Sequence, residues 1–146
     1  MAAIQLPDEE VCRNNAEFVK DVTYEDNSRL KPGERFTKVW EVMNVGACTW
    51  NKSYSLIFSS GDRLGGLSPK PIGVEVPPGG TLQISIDLVA PKNSGQYLGT
   101  WVFQDDQGQL FGTGLGKNDY LWVAIVVGSS DRLRSIFGGG GCTGGG

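Results

Sequence analysis

The segment Gly112-Thr113-Gly114-Leu115-Gly116-Lys117-Asn118 brings together three glycines and a lysine, the residue types that cradle a phosphate. Its spacing fails that chemistry. A Walker A loop needs glycine five residues before Gly116, where Phe111 stands, and Ser or Thr after Lys117, where Asn118 stands. The dinucleotide pattern fails as well, because Lys117 takes the place of its last glycine. A strand-like run follows rather than a helix, so no helix N-terminus receives a phosphate. Carboxylates are the other candidates for chemistry. Asp105-Asp106 runs into Gln107-Gly108 and reads as a hairpin tip, while Asp8, Glu9 and Glu10 read as a solvated acidic start. General acid–base work requires burial and a facing partner, which neither context suggests.

Histidine is absent, which removes Ser-His-Asp and Cys-His nucleophiles, His-ligated metals and a histidine pH switch. The three cysteines, Cys12, Cys48 and Cys142, are too few for a four-thiolate zinc site and form no CxxC pair. The expectation is no enzyme, no metal and no cofactor. Charge narrows the partners further. Thirteen basic and 16 acidic residues are interspersed to a net −3, without the clustered positive footprint that nucleic acid requires. The run Leu121–Val127 is too short for a transmembrane segment. The first ten residues lack the basic and apolar regions of a signal peptide, which fits either a cytosolic protein or one whose export signal has been removed.

The elements that must position any site read as strands. Leu82, Ile84, Ile86 and Leu88 alternate strictly with polar residues, the mark of a half-buried strand. Phe36, Trp40 and Val42 share a face on which Lys38 is the exception. Tyr54, Leu56 and Phe58 alternate, as do Tyr97, Gly99, Trp101 and Phe103; residues 120–127 are apolar on both faces, as in a central strand. Residues 17–23 and 72–76 are weaker candidates. Lys31-Pro32-Gly33, Ser60-Gly61-Asp62, Pro77-Pro78-Gly79-Gly80, Asn93-Ser94-Gly95 and Asp106-Gln107-Gly108 supply turns between them. The pattern predicts an all-β, antiparallel sandwich of about seven to nine strands. Beyond it, Ser129-Ser130-Asp131 caps a short helical pattern bearing Leu133, Ile136 and Phe137, and seven of the 22 glycines crowd the last nine positions around Cys142.

Four tryptophans punctuate the chain in specific contexts. Ala16-Glu17-Phe18-Val19-Lys20-Asp21 precedes Lys31-Pro32-Gly33-Glu34-Arg35-Phe36-Thr37-Lys38-Val39-Trp40, then Asn44-Val45-Gly46-Ala47-Cys48-Thr49-Trp50. Gly61-Asp62-Arg63-Leu64-Gly65-Gly66, Gly95-Gln96-Tyr97-Leu98-Gly99-Thr100-Trp101, Leu110-Phe111-Gly112 and Leu121-Trp122-Val123 follow. In order and spacing these residues resemble the four-tryptophan, NBR-type Ig-like domain of selective-autophagy receptors, in a style similar to its prokaryotic exported members. The resemblance covers residues 12–127. It implies an immunoglobulin-like sandwich that recognises protein without catalysis.

The resemblance also implies a Cys12–Cys48 pairing, as in exported relatives; two buried free thiols are the alternative, and would place the protein in the cytoplasm. Cys142 is left as a candidate for an intermolecular bond. Trp40, Trp101 and Trp122 are expected between the sheets, and Trp50, after a turn, partly exposed. Function on a sandwich usually sits on end loops. Asp62, Arg63, Gly65 and Gly66 on one loop, with Phe111, Asn118, Asp119 and Tyr120 on another, are therefore the binding candidates for a protein or peptide, or for a neighbouring copy of the chain. Internal bracing around Asp62 and Arg63 is the competing reading. The organisation expected is an N-terminal extension (1–11), the Ig-like domain (12–128) and a short amphipathic segment with a Gly-rich tail (129–146). A secreted or cell-surface recognition module leads. A self-assembling subunit of a surface fibre or layer is the second reading, and a carbohydrate-binding sandwich the third.

Overall fold

The computed structural model describes residues 12–113 and 120–128. Gly114, Gly116, Lys117, Asn118, Asp119, the 131–137 segment and Cys142 lie outside these. Nine strands run through the described residues: β1 (Ala16–Asp21), β2 (Ser28–Leu30), β3 (Arg35–Asn44), β4 (Ser55–Gly61), β5 (Lys70–Pro71), β6 (Thr81–Val89), β7 (Gly95–Gln104), β8 (Leu110–Phe111) and β9 (Leu121–Val127). They form two sheets, β1-β3-β6 and β2-β9-β7-β4-β5, with β8 added to β7. Every pairing is antiparallel except β2 with β9. The expected all-β, Ig-like sandwich is the architecture found.

Alternation explains which residues make the core. On β6, Leu82, Ile84, Ile86 and Leu88 are buried, and on β9 Leu121, Val123, Ile125 and Val127 face them from the other sheet. The same phase puts Phe36, Lys38, Trp40, Val42 and Asn44 of β3 inward. Lys38 is thus no break in the pattern. Its fully buried Nζ donates to Asp21 Oδ1 at 2.7 Å and to the carbonyls of Tyr24 at 2.7 Å and Thr23 at 3.0 Å. Three acceptors satisfy its three N–H groups, as burial of an ammonium demands.

Two tryptophans exchange the environments expected for them. Trp50 is fully buried. A bridge to Val76, with N–H to carbonyl bonds of 2.9 and 2.8 Å, ties it down, and its ring packs on Phe103 at 5.2 Å and Phe111 at 5.7 Å. Trp122 instead is 47% exposed. Leu121 and Val123 point inward, and period two sends the residue between them out. Trp40 and Trp101 are buried between the sheets as expected. The weak strand candidate at 72–76 is replaced by β5 at Lys70–Pro71 and the Val76 bridge.

Cys12 and Cys48 are joined, with Cα atoms 5.1 Å apart. The bridge holds residues 13–15 against the 44–48 turn, where Ala47 N donates to Arg13 O at 2.8 Å and Val45 N to Asn15 O at 3.1 Å. Asn44 anchors the turn from inside, its Nδ2 donating to Cys48 O at 2.7 Å and Val76 O at 2.9 Å.

Candidate functional site

The loop at 62–66 leaves β4 and crosses toward the facing sheet. Asp62 N donates to Leu98 O at 2.8 Å, and Leu98 N returns a 2.9 Å bond to Asp62 Oδ2. Arg63 Nε donates to Gly66 O at 2.7 Å, while Leu64 O accepts from Val89 N of β6 at 2.9 Å. Glycine is required at two points. A Cβ at Gly66 would stand 2.7 Å from Trp101 Cζ2 and 2.9 Å from Leu88 Cδ2, and one at Gly99 would strike the Asp62 carbonyl. Asp62 Oδ2 and Arg63 Nε thus bond within the fold, while both residues stay exposed. An open cleft of about 480 Å³ lies beside them, floored by Leu64, Val89 and Tyr97.

Of the second candidate loop, the described residues Phe111 and Tyr120 do not line the cleft beside the 62–66 loop. Gly61 pairs with Gly99 in the middle of β7, whereas Phe111 pairs with Phe103 near its end. Phe111 is no surface anchor: it is buried, stacked on Phe103 at 5.4 Å with an interplanar angle of 16° and edge-on to Tyr54 at 6.0 Å. Two-residue β8 fixes it there by pairing with β7. Tyr54 completes this end, donating from its hydroxyl to Asn14 Oδ1 at 3.1 Å. Burial raises its phenol above the usual tyrosine range, and the negative charges of Asp106 and Asp105 push the same way.

Tyr120 belongs to a different place. With Phe18, Asp21, Asp26 and Trp122 it lines a groove of about 250 Å³ between the edge of the first sheet and the start of β9. Phe18 on β1 is 42% exposed, so two large aromatics stand open to solvent on rigid strands. The backbone beneath them is held across the sandwich, since Trp40 Nε1 of β3 donates to Trp122 O at 3.1 Å. Asp21 is positioned by Lys38. Sequence reasoning missed Phe18 and Asp26, because the groove they line with Trp122 is formed by residues far apart in sequence and has no local signature.

Comparison with known proteins accords with this frame. The family model described as the Ig-like domain from next to BRCA1 gene matches residues 23–127. The chain is 29% identical over 127 residues to Protein JOKA2 of Solanum tuberosum, covering 84% of this chain and 14% of that protein. It is 28% identical to the Protein NBR1 homolog of Arabidopsis thaliana, covering 80% and 16%, and 30% identical to Next to BRCA1 gene 1 protein of Mus musculus, covering 77% and 11%. It thus spans about a seventh of the first two relatives' length. With a two-sheet sandwich as expected and a family match over residues 23–127, the chain belongs to the family of the Ig-like domain from next to BRCA1 gene.

Proposed function

We propose that this chain is a non-catalytic protein-recognition module whose contact surface is the groove around Trp122. The observation that carries the reading is an exposed tryptophan, flanked by Phe18 and Tyr120, on strands fixed by core hydrogen bonds. Half-open aromatics on a rigid frame are the residues that dominate protein interfaces, because they bury much area for little lost side-chain entropy. The Cys12–Cys48 bridge supports action in an oxidising compartment, outside a cell or on its surface.

Assembly into a fibre fits less well. Edge strand β1 is irregular between Phe18 and Lys20, and such a bulge works against edge-to-edge addition of further copies. A sugar-binding platform wants a row of exposed rings; Trp40, Trp50 and Trp101 are all buried.

Selection of peptides from a randomised display library on the immobilised chain tests the recognition reading. Peptides should emerge that lose about tenfold or more in affinity on Trp122→Ala, the penalty expected for truncating an interface hot spot. Selection that returns no binder, or binders indifferent to Trp122→Ala, would refute it. Thiol titration of the denatured protein from its natural source tests the compartment: free Cys12 and Cys48 would count against export.

A further inference from the structure

Resting on the recognition reading, we infer that the groove between β1 and β9 takes an arginine side chain from an extended segment of a partner protein, with Trp122 as its stacking face and Asp26 as its counter-charge. The lining carries this. Phe18, Tyr120 and Trp122 supply rings, Asp21 and Asp26 supply carboxylates, and no described lining residue is basic. The two carboxylates are not equivalent. Asp21 is spent on Lys38 at 2.7 Å, whereas exposed Asp26 makes no ion pair with a described residue. One open negative charge beside three rings is complementary to one cation.

Size and shape select the kind of cation. At about 250 Å³ the groove is smaller than the roughly 300–1,000 Å³ of sites that enclose drug-sized molecules, and suits one long side chain. A planar guanidinium lies flat on an indole while its edge forks to a carboxylate, which an ammonium does less well. The interior already displays the pairing in miniature, with Lys38 Nζ bonded to Asp21 and 5.7 Å from the centre of the Trp40 ring.

The backbone around the groove explains why the segment is extended. β2 pairs with β9 only from Ile125 onward, Asn27 N donates to Ala124 O at 2.7 Å just ahead of it, and Trp122 O is taken by Trp40 Nε1, so residues 121–123 have no strand neighbour on that side among the described residues and a visiting chain is held by its side chain rather than by ladder bonds. β1, across the groove, is itself an edge strand. An extended chain can therefore lie along the opening and insert one side chain.

The test uses the full chain and a blocked peptide, acetyl-Thr-Val-Arg-Val-Thr-amide, with a second peptide carrying citrulline in place of arginine. Citrulline keeps the shape and removes the charge. Titration is followed in a ¹H–¹⁵N correlation spectrum by the indole N–H resonance of Trp122 and by the backbone amide resonances of Phe18, Asp26 and Leu121, which remain as the readout in Trp122→Ala. Saturable shifts are expected with the arginine peptide, weakened about threefold by Asp26→Asn, as for an exposed charge pair, and about tenfold by Trp122→Ala. Citrulline should bind no better than to Asp26→Asn. Both side chains are open to solvent, and unchanged spectral dispersion elsewhere shows that each variant is folded. Equal binding of the two peptides, an arginine peptide that gives no shift, or indifference to Asp26→Asn overturns the inference. If selected library peptides are neutral yet still need Trp122, recognition at the groove stands and the arginine assignment alone falls.

Discussion

Replacing Trp40 and Trp50 one at a time by phenylalanine separates packing from hydrogen bonding in the core. Both rings are fully buried, so each substitution deletes the same pyrrole atoms from a closed environment. The packing loss, about 1–2 kcal/mol, is common to the pair. Their indole nitrogens differ. Trp40 Nε1 donates to Trp122 O at 3.1 Å and joins the two sheets; Trp50 Nε1 has no acceptor among the described residues. Trp40→Phe therefore also loses a hydrogen bond, worth about 0.5–1.5 kcal/mol, and leaves a carbonyl with one partner fewer. Trp50→Phe removes a donor whose burial without a partner costs about 1–3 kcal/mol. The Trp40 variant should accordingly be less stable than the Trp50 variant by about 2 kcal/mol or more. Urea unfolding followed by far-ultraviolet circular dichroism measures this without relying on tryptophan emission, which the substitutions themselves alter. Equal midpoints, or a less stable Trp50→Phe, would refute the assignment of the two nitrogens.

Further outcomes follow from other contacts. Asp21→Ala strands the buried Lys38 ammonium and should cost about 3–5 kcal/mol in the same unfolding assay, whereas Lys38→Met, which removes the charge with its stem retained, should cost far less. Reducing the Cys12–Cys48 bridge, or replacing both by serine, frees a loop with sequence separation 36 and should lower stability by about 4 kcal/mol in the chain-entropy model; an unchanged midpoint would remove the bridge from the account. Gly66→Ala presses a methyl on Trp101 and Leu88, neither free to retreat, and should cost about 1–3 kcal/mol by calorimetry. Because the Tyr54 phenol is raised in the folded state, its contribution is complete below the ordinary value near 10.0 and is lost as pH climbs from there through the folded value. Tyr54→Phe loses the hydroxyl bond to Asn14 and should be less stable than the parent at neutral pH, with the gap narrowing above that range as the parent alone must ionise the buried phenol; a constant gap would contradict the shift.

The sandwich was legible because its strands carry one polar and one apolar face. On β6 the alternation is unbroken, and Leu82 to Leu88 all point where the pattern puts them. Where both faces are apolar, phase disappears. Residues 120–127 read as a strand but not as one with Trp122 outside, since Trp122 and its neighbours are equally hydrophobic and only pairing with β7 fixes the register. Trp50 failed for another reason. It sits outside any periodic run and is drawn inward by Val76, 26 positions away, a contact no local rule supplies. Lys38 looked like an error in the pattern because a single strand cannot show that Asp21 and two carbonyls wait for it. The loop at 62–66 reads from the sequence as a cluster of polar groups and glycines, but that Asp62 Oδ2 and Arg63 Nε bond to Leu98 N and Gly66 O is set by the path of the chain and not by local pattern.

On the proposed reading, Trp122 keeps recognition apart from stability. Its carbonyl belongs to the core, where it accepts the Trp40 indole proton across the sheets; its side chain belongs to the surface, beside Phe18 and Tyr120. The backbone bond does not depend on which side chain residue 122 carries. The side chain at 122 can therefore change while the strand beneath it stays fixed by Leu121 and Val123. That independence has a measurable sign. Trp122→Ala should shift the unfolding midpoint by less than Trp40→Phe, although it removes the larger group, and should abolish most of the groove's binding. Were the surface substitution to destabilise the chain as much as the core one, Trp122 would be a structural residue after all, and the groove would lose its claim as the site.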